Sequence, residues 1–205
     1  MIWVAVSVKG RREEYKELTR AALLEAATER FARDGYAATT IDDIASSARV
    51  SKGAVYYHFA DKAQLFEAAF RDRQQHLLTE VAEAAVGHTD PWDQLDAALG
   101  AHLEYTVADP THRALLQQAP QAIGADRCRE IDEQLGLPVL LTALNNLQHT
   151  GELSTPPTEM LARVLFSSLC EAAMTAGAAP DTLRAQQQAR AALRAITSGL
   201  RRKPD

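Results

Sequence analysis

Thr39-Thr40-Ile41-Asp42-Asp43-Ile44-Ala45, then Val50-Ser51-Lys52-Gly53-Ala54-Val55-Tyr56-Tyr57-His58-Phe59, then Asp61-Lys62-Ala63-Gln64-Leu65 place three helix starts in one short stretch. Thr40 reads as an N-cap whose capping box Asp43 completes, opening a two-turn helix over 41–48. After Arg49-Val50, Ser51 caps a second short helix over 52–58. Asp61 caps a third and longer one, with Gln64 in the capping-box position. Ile44 and Ala48 face inward, small Ala45 lets the next helix approach, and Val50 plugs the turn. Val55 and Phe59 point back to the core. Two short, separately capped helices joined by about three residues form a helix-turn-helix. A helical hairpin inside an ordinary bundle shares some of these features, but rarely so polar and aromatic an outer face.

Working outward, Leu23, Leu24, Ala27 and Phe31 give the apolar spacing of a helix over 19–34, which Gly35 ends. Downstream of Asp61 the apolar series runs Leu65, Phe66, Ala69, Phe70, Leu77, Leu78, Val81. A break follows at 87–89, and Asp90 caps a helix with Pro91 in its first position, ending near 109–110. A short helix over 111–119 is expected to be interrupted by Pro120 and Gly124. A longer one spans 126–149, distorted around Gly136 and Pro138, and 150–157 is a loop. Helices over 158–176 and 181–200, divided by Gly177 and Pro180, complete the chain. The expected class is all-α, with about nine helices: a three-helix helix-turn-helix domain followed by a C-terminal helical bundle. The division is 1–15 as a flexible N-terminal extension, 16–62 as the helix-turn-helix and 63–205 as a second domain. The helix from Asp61 joins them.

Hydrophobic residues make up 46% and charged residues 24%, an ordinary balance that excludes a disordered or fibrous chain. No apolar run approaches the roughly 18 residues of a membrane span. The apolar residues 1–8 precede Lys9, Arg11 and Arg12 instead of following a basic segment, so they do not read as a secretory signal. They are a frayed extension or a misplaced start, or else an anchor. Cys128 and Cys170 form no CxxC pair and read as buried thiols of a reducing, cytoplasmic setting, or as a redox pair. Net charge is −5, unevenly spread. Residues 9–75 hold 12 Lys and Arg against 11 Asp and Glu, and residues 76–205 hold 10 against 16. The first third is where a nucleic-acid contact is electrostatically tolerable, which permits such a contact without requiring it.

The N-terminal end of a recognition helix, here Ser51-Lys52-Gly53-Ala54, is the part that usually enters the major groove. Lys52 reaches a base edge or phosphate, while Gly53 and Ala54 keep the backbone close to bases and to a thymine methyl. Tyr56, Tyr57 and His58 suit phosphate contacts, and Thr40 and Lys62 add others at their helix starts. The bland alternative makes Tyr56 a core residue and His58 a surface histidine.

Over 19–70 the ordered set of cap, turn, recognition helix and following Lys62 resembles the DNA-binding domain of the tetracycline-repressor (TetR) family. The resemblance implies a bacterial transcriptional regulator in which positions matching Thr40, Lys52, Gly53, Tyr56, Tyr57, His58 and Lys62 commonly contact DNA. One departure is Arg49, where the family pattern usually has Gly. If that position needs a positive φ, Arg costs about 1 kcal/mol there.

The C-terminal half shows no HExxH, no GxSxG elbow, no Gly-rich phosphate loop and no Cys-His grouping. Neither an enzyme nor a metal or other cofactor is expected. The resemblance implies a ligand pocket there. Its candidate walls are Phe70, His76, His102, Tyr105, Leu116, Gln117, Cys128, Ile131 and Leu144, each with a plain core or surface alternative. Leu161, Leu165, Ser168 and Ala172 share one stripe, and Leu183, Arg190, Leu193 and Ile196 another. Both are candidate dimer surfaces, or are buried within the chain's own bundle.

The expectation is a homodimeric, ligand-responsive repressor of a near-palindromic duplex DNA operator, with a small apolar or amphipathic effector and no membrane partner. An activator on the same fold is the nearer rival. An all-α enzyme or lipid-binding protein with a merely structural hairpin is the rival from another class.

Overall fold

A computed structural model describes residues 10–154 and 158–202. The apolar residues 1–8 and the loop residues 155–157 lie outside the described residues. Nine helices and no strand occur among the described residues: α1 (Arg11–Asp34), α2 (Ile41–Ser47), α3 (Lys52–His58), α4 (Lys62–Val86), α5 (Pro91–Ala108), α6 (Pro110–Ile123), α7 (Ala125–His149), α8 (Thr158–Ala178) and α9 (Thr182–Ser198). Among the described residues, none of these helices is long and apolar enough to cross a membrane.

α1 begins at Arg11, eight residues before the expected start, so 11–15 are helical and not part of an extension. Residues 11–18 are good helix formers, and Glu13 and Glu14 sit favourably at the positive end of the helix dipole. Their turns project beyond the core, with Tyr15 and Leu18 exposed. Apolar periodicity, which marks only what is buried, therefore misses them.

α6 also differs from expectation by running through Pro120 to Ile123. Pro120 lies in the last turn on an exposed face, where the lost N–H forfeits a single bond near the helix end. α7 likewise continues through Gly136 and Pro138. Gly136 has a reason to be small: a Cβ there would meet the Phe166 ring at 2.5 Å. After α7 the chain forms an isolated bridge, Leu153 to Arg201, that ties the loop to the end of α9.

Two large cores, and a small third of Leu103, Ala173 and Ala176, organise the helices. The first joins Leu23, Ala27 and Phe31 of α1 to Ile44, Val55 and Phe59, to Leu65, Phe66 and Phe70 of α4, and to Leu115 and Ala119 of α6. The Phe31 and Phe66 rings stand 5.1 Å apart and Tyr36 meets Phe66 edge-on at 5.4 Å, a favourable aromatic geometry. The helix-turn-helix thus shares its core with α4 and α6. The second core is built from α5, α7, α8 and α9 around Leu95, Leu140, Leu144, Leu165 and Leu193.

Candidate nucleic-acid interface and ligand cavity

Local hydrogen bonding sets the outer face of the N-terminal helices. Thr40 Oγ1 accepts from Asp43 N–H at 3.2 Å, and Asp43 Oδ2 accepts from Thr40 N–H at 3.0 Å, so the capping box is closed. The Thr40 hydroxyl also donates to Asp43 Oδ2 at 2.6 Å, and this bond first, with the Thr40 N–H second, holds the Asp43 carboxyl below its usual range. Ser51 Oγ accepts from Ala54 N–H at 3.2 Å and starts α3. Arg49 takes φ 56°, so the turn does use a left-handed residue and carries the strain expected of Arg there.

Within α3, Val55 is buried, as is the following Phe59, while Tyr56 and Tyr57 are 50% and 65% exposed. Lys52, at the helix start, lies 2.8 Å from Asp42 in an exposed pair. Gly53 is open, its nearest neighbour being Ser51 Oγ at 3.8 Å from where a Cβ would stand. Ala54 and His58 are half-buried. Burial lowers the His58 pKa, with Lys16 and Arg20 adding to the effect.

Lys62 is placed differently from the others. Its ammonium donates to the carbonyls of Tyr36 at 2.8 Å and Thr39 at 3.0 Å, and lies 4.4 Å from the Tyr36 ring centre. Two of its three protons fasten the α1–α2 turn, leaving one for a phosphate. The residues missed from sequence are Arg12 and Lys16 of α1, which line a groove with Ser51, Ala54, Tyr57 and His58. Lys16 Nζ stands 5.5 Å from the Tyr57 ring. They lie in the turns that apolar periodicity does not mark.

In the second half a cavity of about 140 Å³ opens between α4, α5, α6, α7 and α8. Its walls are mostly aliphatic, and His102 and Leu116 are the two proposed residues that line it. Phe70 and Ile131 instead sit in the N-terminal core, with Cys128 packed against it, and Leu144 belongs to the second core. His76 is on the surface 3.6 Å from Asp72, and Gln117 is exposed. Tyr105 stands beside the cavity with its ring edge-on to His112 at 5.4 Å.

Polar residues missed from the walls are Gln74, Thr106, His112, Asp132 and Cys170. Gln74 Oε1, Thr106 Oγ1 and both His112 ring nitrogens are buried without a hydrogen-bond partner among the described residues. Burial pushes His102 and His112 down to about 4 and Asp132 up to about 6. It also raises both thiols, Cys170 to about 12. Both cysteines are free.

α6, like α4, spans the distance between cavity and DNA face. α6 puts His112 and Leu116 on the cavity wall. Two residues on, Gln118 donates to Phe31 O at 3.0 Å and accepts from Tyr36 N–H at 2.5 Å. Gln118 and Lys62 therefore hold the same α1–α2 turn from two sides.

The proposed dimer stripes need correction. Leu165 and Leu193 are buried in the second core, with Leu161 packed against it. Arg190 turns inward to Glu104 at 2.9 Å and Asp96 at 3.5 Å. Ser168 and Ala172 are half-buried. The apolar side chains left open are Met160 and Val164 on α8 and Leu183 and Ile196 on α9. On α8 the bundle uses the expected stripe and the neighbouring one is open, whereas on α9 the expected stripe divides, Leu193 turning inward and Leu183 and Ile196 staying exposed.

Two family models match the chain. One, of bacterial regulatory proteins of the tetR family, covers residues 23–69, and the other, a tetracyclin repressor-like C-terminal domain, covers 92–200. The probable acrEF/envCD operon repressor of Escherichia coli strain K12 is 36% identical over 124 residues, 60% of this chain and 54% of that protein. The regulator TtgR of Pseudomonas putida is 48% identical over 61 residues, 30% of this chain and 29% of that one. The chain thus spans about half the length of the first relative and under a third of the second. A crystal structure of a TetR-family regulator from Pectobacterium atrosepticum superposes with a TM-score of 0.77 at 28% identity, covering 94% of this chain and 98% of that one.

Proposed function

The chain belongs to the TetR family of bacterial transcriptional regulators, and from that premise we propose that it is a cytoplasmic, homodimeric repressor. It holds a near-palindromic operator and is released by a small apolar or amphipathic effector. The observation that carries the DNA-binding half is α3, a seven-residue helix that leaves two tyrosines half or more exposed beside a fully buried Val55. A surface of that kind finds no use inside the chain and suits a partner. Lys52, Gly53 and Ala54 would approach the bases from the helix start. Ser51, Tyr56, Tyr57, His58 and Thr40 would meet the flanking phosphates, joined by Arg12 and Lys16 of α1. Lys62 contributes mainly by fixing the α1–α2 turn.

Residues 11–62 then serve as the DNA-binding domain and 63–205 as the ligand-binding and dimerisation domain, with α4 running from the first core to the cavity wall. Met160, Val164, Leu183 and Ile196 form the two-fold contact, which sets two α3 helices into successive major grooves about 34–36 Å apart. The E. coli relative bears the name of an operon repressor, which favours repression over activation. Release follows from α6: an effector that shifts His112 and Leu116 pulls Gln118 against the α1–α2 turn and changes the spacing of the recognition helices. Such a ligand acts by binding one of two states better.

Selection of bound fragments from genomic DNA, followed by titration of the recovered duplex, tests the proposal. Raising salt from about 50 to 200 mM is expected to weaken binding about a thousandfold or more, as several phosphates are neutralised. No enriched fragment, or affinity indifferent to salt, would contradict it.

A further inference from the structure

The buried polar atoms of the cavity narrow the chemistry of what enters it. Gln74 Oε1 accepts only, while Thr106 Oγ1 both donates and accepts. His112 is fully buried and held neutral by its surroundings, with Arg73 and Arg113 adding to the effect of burial, so its ring offers one donor and one acceptor. Thr106 sits in the last turn of α5, and its hydroxyl is not returned to a carbonyl of that helix and makes no hydrogen bond to any described group. Three side chains from three helices thus present both donors and acceptors at one cavity whose remaining wall is aliphatic.

A carboxylate ligand could only accept, which leaves Gln74 unserved. It would also share the cavity with the Asp132 carboxyl. An ammonium could only donate: Asp132 would attract it, but it leaves the imidazole N–H of His112 without an acceptor and approaches that ring against the charges of Arg73 and Arg113. A hydroxyl does both: it donates to Gln74 or to an imidazole nitrogen and accepts from Thr106 or the imidazole N–H. The cavity's 140 Å³ is close to that of an apolar protein cavity known to hold benzene, so a single ring fills it.

We propose that the cavity takes an uncharged, hydroxyl-bearing aromatic of one-ring size, its hydroxyl seated among Gln74, Thr106 and His112. The proposal rests on the reading of the chain as a ligand-released repressor and adds the class of the effector. Calorimetric titration of the full chain with phenol, toluene, benzoate and benzylamine tests it, run beside competition against the bound operator. Phenol is expected to bind about tenfold tighter than toluene, the difference made by hydrogen bonds to otherwise unpaired buried groups, and benzoate to bind weakest. Thr106→Val and Gln74→Leu are each expected to bring phenol and toluene to within about threefold of one another. The second variant decides if the first fails to fold. Phenol no tighter than toluene, or benzylamine or benzoate tighter than phenol, would overturn the proposed class. A preference for phenol insensitive to both variants would overturn the seat of the hydroxyl. Phenol that binds as expected but does not displace the operator would leave the ligand class standing and sink the release mechanism instead.

Discussion

The helix-turn-helix and the α4–α8 bundle handle polar side chains in opposite ways. α3 turns Tyr56 and Tyr57 outward, where water serves their hydroxyls until a partner displaces it, and buries only Val55 within the helix. The bundle turns Gln74, Thr106 and His112 inward, where no described group of the chain serves them. Outward polar chemistry is nearly free of folding cost, so it can be packed densely on seven residues. Inward polar chemistry costs stability for every atom left unpaired, and it persists where something else can pair with it. The molecule thus keeps a cheap, rigid contact surface at one end and a costly, adjustable site at the other. α4 and α6 reach both.

The contrast predicts a large effect at the open face of α8 and α9. Val164 is 55% exposed on a single chain. Val164→Glu is expected to leave each subunit folded while weakening dimerisation by about 3–5 kcal/mol, since like charges would be desolvated across the two-fold axis. Sedimentation that shows an intact dimer would move the interface elsewhere.

Acid distinguishes the two regions next. His102 and His112 have folded pKa values pushed down to about 4. A depressed histidine contributes stability above its unfolded pKa near 6.5 and loses it as pH falls toward 4. Asp132, raised to about 6, acts with the opposite sign and stabilises the fold as pH falls below 6. Two histidines against one carboxyl leave a net loss of stability between pH 6.5 and 4. His112→Phe is expected to shrink that loss by on the order of 1–2 kcal/mol, read by melting at pH 7 and pH 5. Equal slopes for parent and variant would show that the cavity does not govern acid sensitivity.

A smaller effect belongs to the link between the regions. Gln118→Leu removes the bonds to Phe31 O and Tyr36 N–H. Stability is expected to fall by about 1–2 kcal/mol, while effector binding persists and operator release is blunted. Full release in this variant would mean that the coupling runs through the shared apolar core instead of through the α1–α2 turn.

What could be read from sequence divides along the same line. Thr40, Ser51 and Asp61 cap helices through bonds that span three residues, and the positive φ at Arg49 follows from a turn of fixed length. Those features are local, so the inward Val55 and outward Tyr57 follow from seven residues alone. The cavity is not local. It lies where five helices fail to meet, and that depends on their crossings instead of on any one pattern. His102 and Leu116 line it, but Phe70 and Ile131, with the same apolar spacing, are ordinary core. On α8 the strong stripe through Leu165 proved to be core for the same reason. A stripe shows that a helix has a buried side without showing which neighbour buries it. The early start of α1 went unread because its first turns touch no core at all.

The central claim is that α3 separates its folding face from its binding face, and one paired measurement addresses it. Tyr57→Ala and Val55→Ala are melted and titrated with the selected operator at a single salt concentration. Tyr57→Ala is expected to stay within about 0.5 kcal/mol of the parent in stability while losing about 1–2 kcal/mol in operator binding. Val55→Ala is expected to lose about 1–3 kcal/mol of stability through a core cavity, with binding falling only as folding fails. A Tyr57→Ala variant that melts far below the parent yet holds DNA with parental affinity would contradict the account.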